Sequence, residues 1–211
     1  LYSGLNAPLS VARDIGLPLQ SLDQSAFEDV QLASIHAQLE VAEEIHAARV
    51  ENVRLDPSPI VAGSVAQLTV HLVPFQAAPH DIAIDVPIPG DTAGEMLLRI
   101  GSGSAAASWE QTRWPQGPAA TSDELLRRLQ QPLRDDELII ELVSTTPGLA
   151  IGGRELPAPP PSVQQLLTAA QTAGHVQPLS TRVLLRRRIV TEYILRGEHS
   201  LRVNIESKGT R

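Results

Sequence analysis

The sequence predicts a mainly β chain that packs as an antiparallel sandwich, and three observations predict it. Ala66, Leu68, Val70 and Leu72 alternate with polar residues, as do Ile82, Ile84, Val86 and Ile88, and then Met96, Leu98 and Ile100. A period of two places one set of side chains on one face of a strand. Turn formers end each run, at Pro74, at Pro89-Gly90-Asp91 and at Gly101, as antiparallel connections require. Aromatic residues make up only 3% of the chain while 42% is hydrophobic, so a core of Leu, Val, Ile and Ala is affordable without large rings.

The other elements are read in chain order. Residues 1–26 hold short apolar clusters broken by Gly4, Pro8, Gly16 and Pro18, a lead-in that is irregular or partly helical. Val30 to Leu55 admits two readings. Leu32, Ile35, Leu39, His46, Val50 and Val53 lie near helical spacing, yet Ile35, Ala37, Leu39 and Val41 alternate like a strand. Gly101 to Ala120 is rich in Gly, Ser and Ala around Trp109 and Trp114, the composition of a loop or linker. Thr121 can cap a helix with Glu124 reaching back, and Leu125, Leu126 and Leu129 give it an apolar side before Pro132. Leu138, Ile140 and Leu142 read as a strand. A loop through Gly152-Gly153 and the prolines of 157–161 precedes a second helix, capped by Ser162 and stopped at Gly174. Val183, Leu185 and Ile189, a turn at Gly197, and Leu201, Val203 and Ile205 predict a C-terminal β-hairpin.

Composition narrows the function. A formal net charge of −7 disfavours nucleic acid, whose phosphates need a basic footprint. The absence of cysteine removes disulfides, thiolate metal sites and thiol nucleophiles. No apolar run reaches the roughly 18 residues that span a bilayer as a helix. The chain begins at Leu1 rather than Met, and the expectation is a piece of a larger secreted or cell-envelope protein.

An ordered series of short motifs runs through the chain: Leu55-Asp56-Pro57, Val61-Ala62-Gly63, Leu68 to Phe75, Val86-Pro87-Ile88-Pro89, Leu97 to Gly101, Asp123 to Leu126, Asp136 to Leu142, Gly153 to Pro157 and Pro160 to Val163. Over roughly residues 26 to 205 this order resembles the region that follows the protease domain in bacterial serine peptidases of the SpoIVB type. The turn Gln76-Ala77-Ala78-Pro79 lacks the glycine usual there. The resemblance implies an immunoglobulin-like antiparallel β-sandwich over 27–104, a linker loop over 105–120, and a small helix–strand extension over 121–211 that ends in the hairpin. It tips Val30 to Leu55 towards strands. It also implies an extracytoplasmic parent, with the peptidase's catalytic Ser and His upstream of Leu1.

No side-chain constellation argues for chemistry in this chain. Ser102 and Ser104 lie in Gly101-Ser102-Gly103-Ser104, which lacks the strand–turn–helix frame of a nucleophile elbow and reads as a flexible segment. Ser64 reads as a turn residue at a strand entry. The six histidines form neither a helical i, i+4 pair nor a tight cluster, and His80-Asp81 with Asp85 reads as a solvated hairpin edge rather than a cation site. Glu43-Glu44 and Asp135-Asp136 read as surface charge, and Asp123-Glu124 as charge favoured in a first helical turn. The candidate partner-binding residues are Arg186, Arg187 and Arg188, as a docking patch for an acidic surface, and Trp109 and Trp114, as anchors. The expected function is a non-catalytic interaction module without cofactor or metal. The alternatives are a regulatory C-terminal part of a SpoIVB-type endopeptidase and a structural subunit of an envelope assembly.

Overall fold

In a computed structural model the described residues are 7–23, 34–38, 43–56, 58–113, 125–126, 129–130, 132–146, 148–151, 154–156 and 176–208. The elements are α1 (Ala7–Asp23), β1 (Ala47–Leu55), β2 (Ile60–Val61), β3 (Val65–Pro74), β4 (His80–Pro87), β5 (Gly94–Gly101) and α2 (Gly103–Arg113). They continue with β6 (Glu137–Ser144), β7 (Gly148–Ile151), β8 (Arg154–Leu156), β9 (Val176–Leu179), β10 (Arg182–Val190), β11 (Ile194–Arg196) and β12 (Glu198–Glu206).

The chain is mainly β. A four-stranded sheet of order β11-β1-β3-β4 packs against a five-stranded sheet of order β10-β6-β5-β12-β2, and β8-β7-β9 form a third, smaller sheet. The alternating runs make the interface. Leu68, Val70, Leu72, Ile84 and Val86 face Met96, Leu98, Ile100, Leu142 and Val203 in one buried cluster, and burying each such side chain is worth about 1.5–3 kcal/mol. β6 is the exception to alternation, because every one of its residues is buried. Leu138, Ile140 and Leu142 enter the core, while Ile139 and Val143 lie on the other face.

Four expectations change. First, residues 103–113 are helix α2 rather than linker. The small residues there serve close packing: a Cβ on Gly103 would lie 2.2 Å from the Arg134 carbonyl oxygen, and one on Gly101 would lie 3.0 Å from the Trp109 ring. Ser102 caps the helix, accepting from the Ala105 amide at 3.3 Å, while the Ser104 amide donates to Asp135 at 2.7 Å.

Second, the C-terminal strands form no hairpin. β10 and β12 share a sheet but are separated by β6 and β5, and the intervening β11 pairs in parallel with β1 of the opposite sheet. Gly197 does turn the chain, at φ +93°, but it turns it between the two sheets. A Cβ there would sit 2.9 Å from the Val50 carbonyl oxygen, so glycine is needed for both conformation and closeness.

Third, the division between a sandwich over 27–104 and an extension over 121–211 is not kept. β5 is paired along one edge with β6 and along the other with β12, so the second sheet draws on both stretches. Fourth, within Val30 to Leu55 the strand reading holds at Ala47–Leu55, whereas residues 34–38 and 43–46 have no regular structure and 30–33 and 39–42 lie outside the described residues. The lead-in contains α1, with Pro18 inside it. Residues 125–126 and 129–130 are helical, and the caps expected at Thr121 and Ser162 lie outside the described residues.

Candidate functional site

The solvent face of the four-stranded sheet carries a polar cleft, and an irregularity in β1 builds it. β1 pairs with β3 through Val50↔Leu72 and then Asn52↔His71, so Glu51 is an extra residue at a β-bulge. Val50 and Val53 are buried whereas Glu51 and Asn52 are both exposed. A bulge sets two residues of one strand against one of its partner and redirects side chains. The local sequence Val50-Glu51-Asn52-Val53 therefore reads like helix by spacing while forming strand.

Opposite the bulge stands His71, on β3, whose register partner on β4 is Asp81. The imidazole Nδ1 lies 2.6 Å from Asp81 Oδ1, and Nε2 lies 3.8 Å from Glu51 Oε2. Arg54 reaches Asp81 at 4.0 Å, and Arg49 pairs with Glu51 at 2.5 Å. Asn52, Arg54, Thr69, His71 and Asp81 line a cleft of about 220 Å³. All these ion pairs are solvent-accessible, with His71 38% and Asp81 49% exposed, so each contributes little to stability. The arrangement offers donors and acceptors side by side on three backbone-paired strands. Among the described residues, no group of three or more His, Cys, Asp or Glu is placed to hold a metal ion.

The residues expected to bind a partner lie mostly elsewhere. Arg186 and Arg188 lie on the outer face of the five-stranded sheet, where α2 also packs. The Arg186 guanidinium donates to Glu141 at 2.7 Å and to Glu110 of α2 at 3.1 Å, and Arg188 donates to Glu137 at 2.7 Å. Burial pulls the pKa of Arg186 down, but the charges and hydrogen bonds of Glu141 and Glu110 outweigh it and leave that pKa above its ordinary value. Arg187 points to the other side and donates to the carbonyl of Asp85 on β4. All three arginines thus have partners within the chain.

Trp109 is tied down as well. Its indole Nε1 donates to Glu198 at 2.6 Å, and the Arg99 guanidinium lies 5.7 Å from its ring. Trp114 lies outside the described residues.

The other exposed feature is one end of the sandwich, where three connections meet. The Phe75 amide donates to the Ala47 carbonyl at 2.8 Å, and the Ile194 amide donates to the His46 carbonyl at 2.8 Å. The rings of His80 and Tyr193 lie 5.9 Å apart. Ile45 and Phe75 are 48% and 50% exposed at this end. Gln76, with φ +57°, makes the turn there in place of a glycine. Sequence reasoning did not single out His71 with Asp81, or Phe75 with Ile45. Counting outward from the turn pairs His71 with Asp81, but only the strand register tells which turn residue to count from.

No helix among the described residues is long and apolar enough to cross a membrane. No protein-family model, curated protein or solved structure matches the chain.

Proposed function

We propose that this chain is a non-catalytic protein-interaction module of an extracytoplasmic bacterial protein, an immunoglobulin-like sandwich that docks a neighbour through the loops at one end. The observation that carries this reading is the exposed apolar pair Ile45 and Phe75 on that end, beside the exposed acidic residues Glu43, Glu44 and Glu192. Apolar side chains rimmed by charge of one sign are the composition of a docking surface, and an acidic rim selects a partner with basic residues. The net charge of −7 favours the same partner over long range. Arg186, Arg187 and Arg188 are engaged inside the chain, which favours the loops over that strand as the docking surface.

Two packed sheets with a crossover between β11 and β12 support the immunoglobulin-like reading. A second reading, a regulatory C-terminal region of a SpoIVB-type serine endopeptidase, draws on the ordered motifs, several of which fall on β3, β5 and β6. The test uses photo-crosslinking residues placed at Phe75, Ile45 and Val65 in the native host. Val65, also exposed, begins β3 at the opposite end of the strand from Phe75. A discrete adduct from Phe75 and Ile45 but not from Val65 is expected. Absence of an adduct at the first two, or hydrolysis of a protein substrate by the purified chain, overturns the reading.

A further inference from the structure

The cleft on the four-stranded sheet has features of its own, independent of the loop end. We propose that it is a binding site for a neutral, polyhydroxylated ligand, one sugar ring of a saccharide, held by Asn52, Arg54, Thr69, His71 and Asp81.

The chemistry of the lining selects this class. Arg54 stands 4.0 Å from Asp81, and Arg49 stands 2.5 Å from Glu51, so the charges around the cleft cancel in pairs. A lone anion entering would meet Asp81, and a lone cation would meet Arg54. Neither gains what it would gain in a cleft of one sign. A ligand with neighbouring hydroxyls escapes this conflict, because each hydroxyl both donates and accepts. Asp81 accepts from one hydroxyl, Arg54 and the Thr69 hydroxyl donate to its neighbours, and His71, whose Nδ1–H is directed at Asp81, accepts from a further hydroxyl at Nε2.

The geometry prepares the site for such a ligand. Asp81 Oδ1 lies 2.6 Å from His71 Nδ1 and orients the ring, while Nε2, 3.8 Å from Glu51, lies beyond hydrogen-bond reach of that carboxylate. The bulge adds Asn52 to the same face as His71. The strands beneath are joined by a ladder from β1 to β3, interrupted at the Glu51 bulge, and by one from β3 to β4, so the polar groups are pre-positioned on a backbone-paired support. A volume of about 220 Å³ suits one ring rather than a chain of them.

The experiment is a titration of the ¹⁵N-labelled full chain, followed by amide chemical shifts, with maltotriose, cellotriose, the trimer of N-acetylglucosamine and, separately, sodium acetate. One saccharide is expected to shift the amides around Asn52, Thr69, His71 and Asp81, with a dissociation constant of about 1 mM. Asp81→Asn and Thr69→Val are expected to weaken binding about tenfold each while keeping a dispersed spectrum, since the first turns a charged acceptor into an amide donor and the second removes a hydroxyl, neither at a buried position. Val65→Thr, further along the same strand, leaves binding unchanged. If no saccharide shifts these amides at about a hundred times that concentration, the proposal is wrong. If acetate alone saturates the same amides, the cleft is an anion site and the proposal is likewise overturned. Crosslinking at Phe75 is a separate readout, so failure of one reading leaves the other standing.

Discussion

Arg186 on β10 donates to Glu141 on β6, directly across their ladder, and Glu141 is only 2% exposed. The same guanidinium reaches Glu110, so one cation pins α2 to the five-stranded sheet. Buried carboxylates are costly unless paired, and removing one partner leaves the full desolvation penalty behind. Arg186→Ala is therefore expected to lower stability by about 3 kcal/mol, whereas the double variant Arg186→Met with Glu141→Leu is expected to lie within about 1 kcal/mol of the parent. Urea unfolding followed by circular dichroism checks both values. A double variant as unstable as the single one would mean that the pair does more than neutralise buried charge.

Gly103 and Gly16 make a matched pair of tests. A Cβ at Gly103 would lie 2.2 Å from the Arg134 carbonyl oxygen, whereas one at Gly16 in α1 would meet nothing within 4 Å. Gly103→Ala is expected to destabilise by about 2 kcal/mol through overpacking. Gly16→Ala is expected to raise the helical signal, since alanine is favoured over glycine by about 1 kcal/mol in a helix interior. Thermal unfolding separates the two outcomes by their opposite sign.

Arg187 closes the gap between two edge strands. It donates from β10 to the Asp85 carbonyl on β4, and both strands are sheet edges. Exposed edges pair with other chains unless charge or a covering group prevents it. Arg187→Ala is expected to change stability by less than about 1 kcal/mol yet to increase self-association, read by sedimentation velocity at rising concentration. A variant that stays as monodisperse as the parent removes this role.

Tyr193 supplies the pH dependence. Its pKa is raised first by a hydrogen bond to Glu192, then by burial and by that carboxylate's charge. A phenol whose folded pKa is raised contributes stability that is present below its unfolded value and is lost as pH rises through the folded one. Glu192→Gln is expected to bring Tyr193 ionisation to lower pH. Ultraviolet difference titration reads this, with Tyr193→Phe assigning the signal against Tyr2.

Much of the core is legible in the sequence alone. The alternation at Leu68-Val70-Leu72 and Met96-Leu98-Ile100 identifies strands and their buried faces, because side-chain direction follows the local period of two. Less was legible of the cleft. Val50-Glu51-Asn52-Val53 breaks the period in a way that fits either a helix or a bulge, and only pairing with His71 decides between them. Around Gly101-Ser102-Gly103, smallness suggested flexibility, whereas the chain uses it for contact with Arg134 and Trp109.

The sequence by itself determined that this is a cysteine-free, acidic, mainly β chain with an aliphatic core, because composition and local period need no partner strand to be read. Tertiary structure alone decided which strands are neighbours: that β12 lies beside β5 rather than β10, and that β11 crosses to the opposite sheet. It also decided that Arg186 and Arg188 of β10 face buried glutamates and that His71 meets Asp81 beside a bulge. Those relations depend on contacts distant along the chain, which residue-by-residue patterning does not encode.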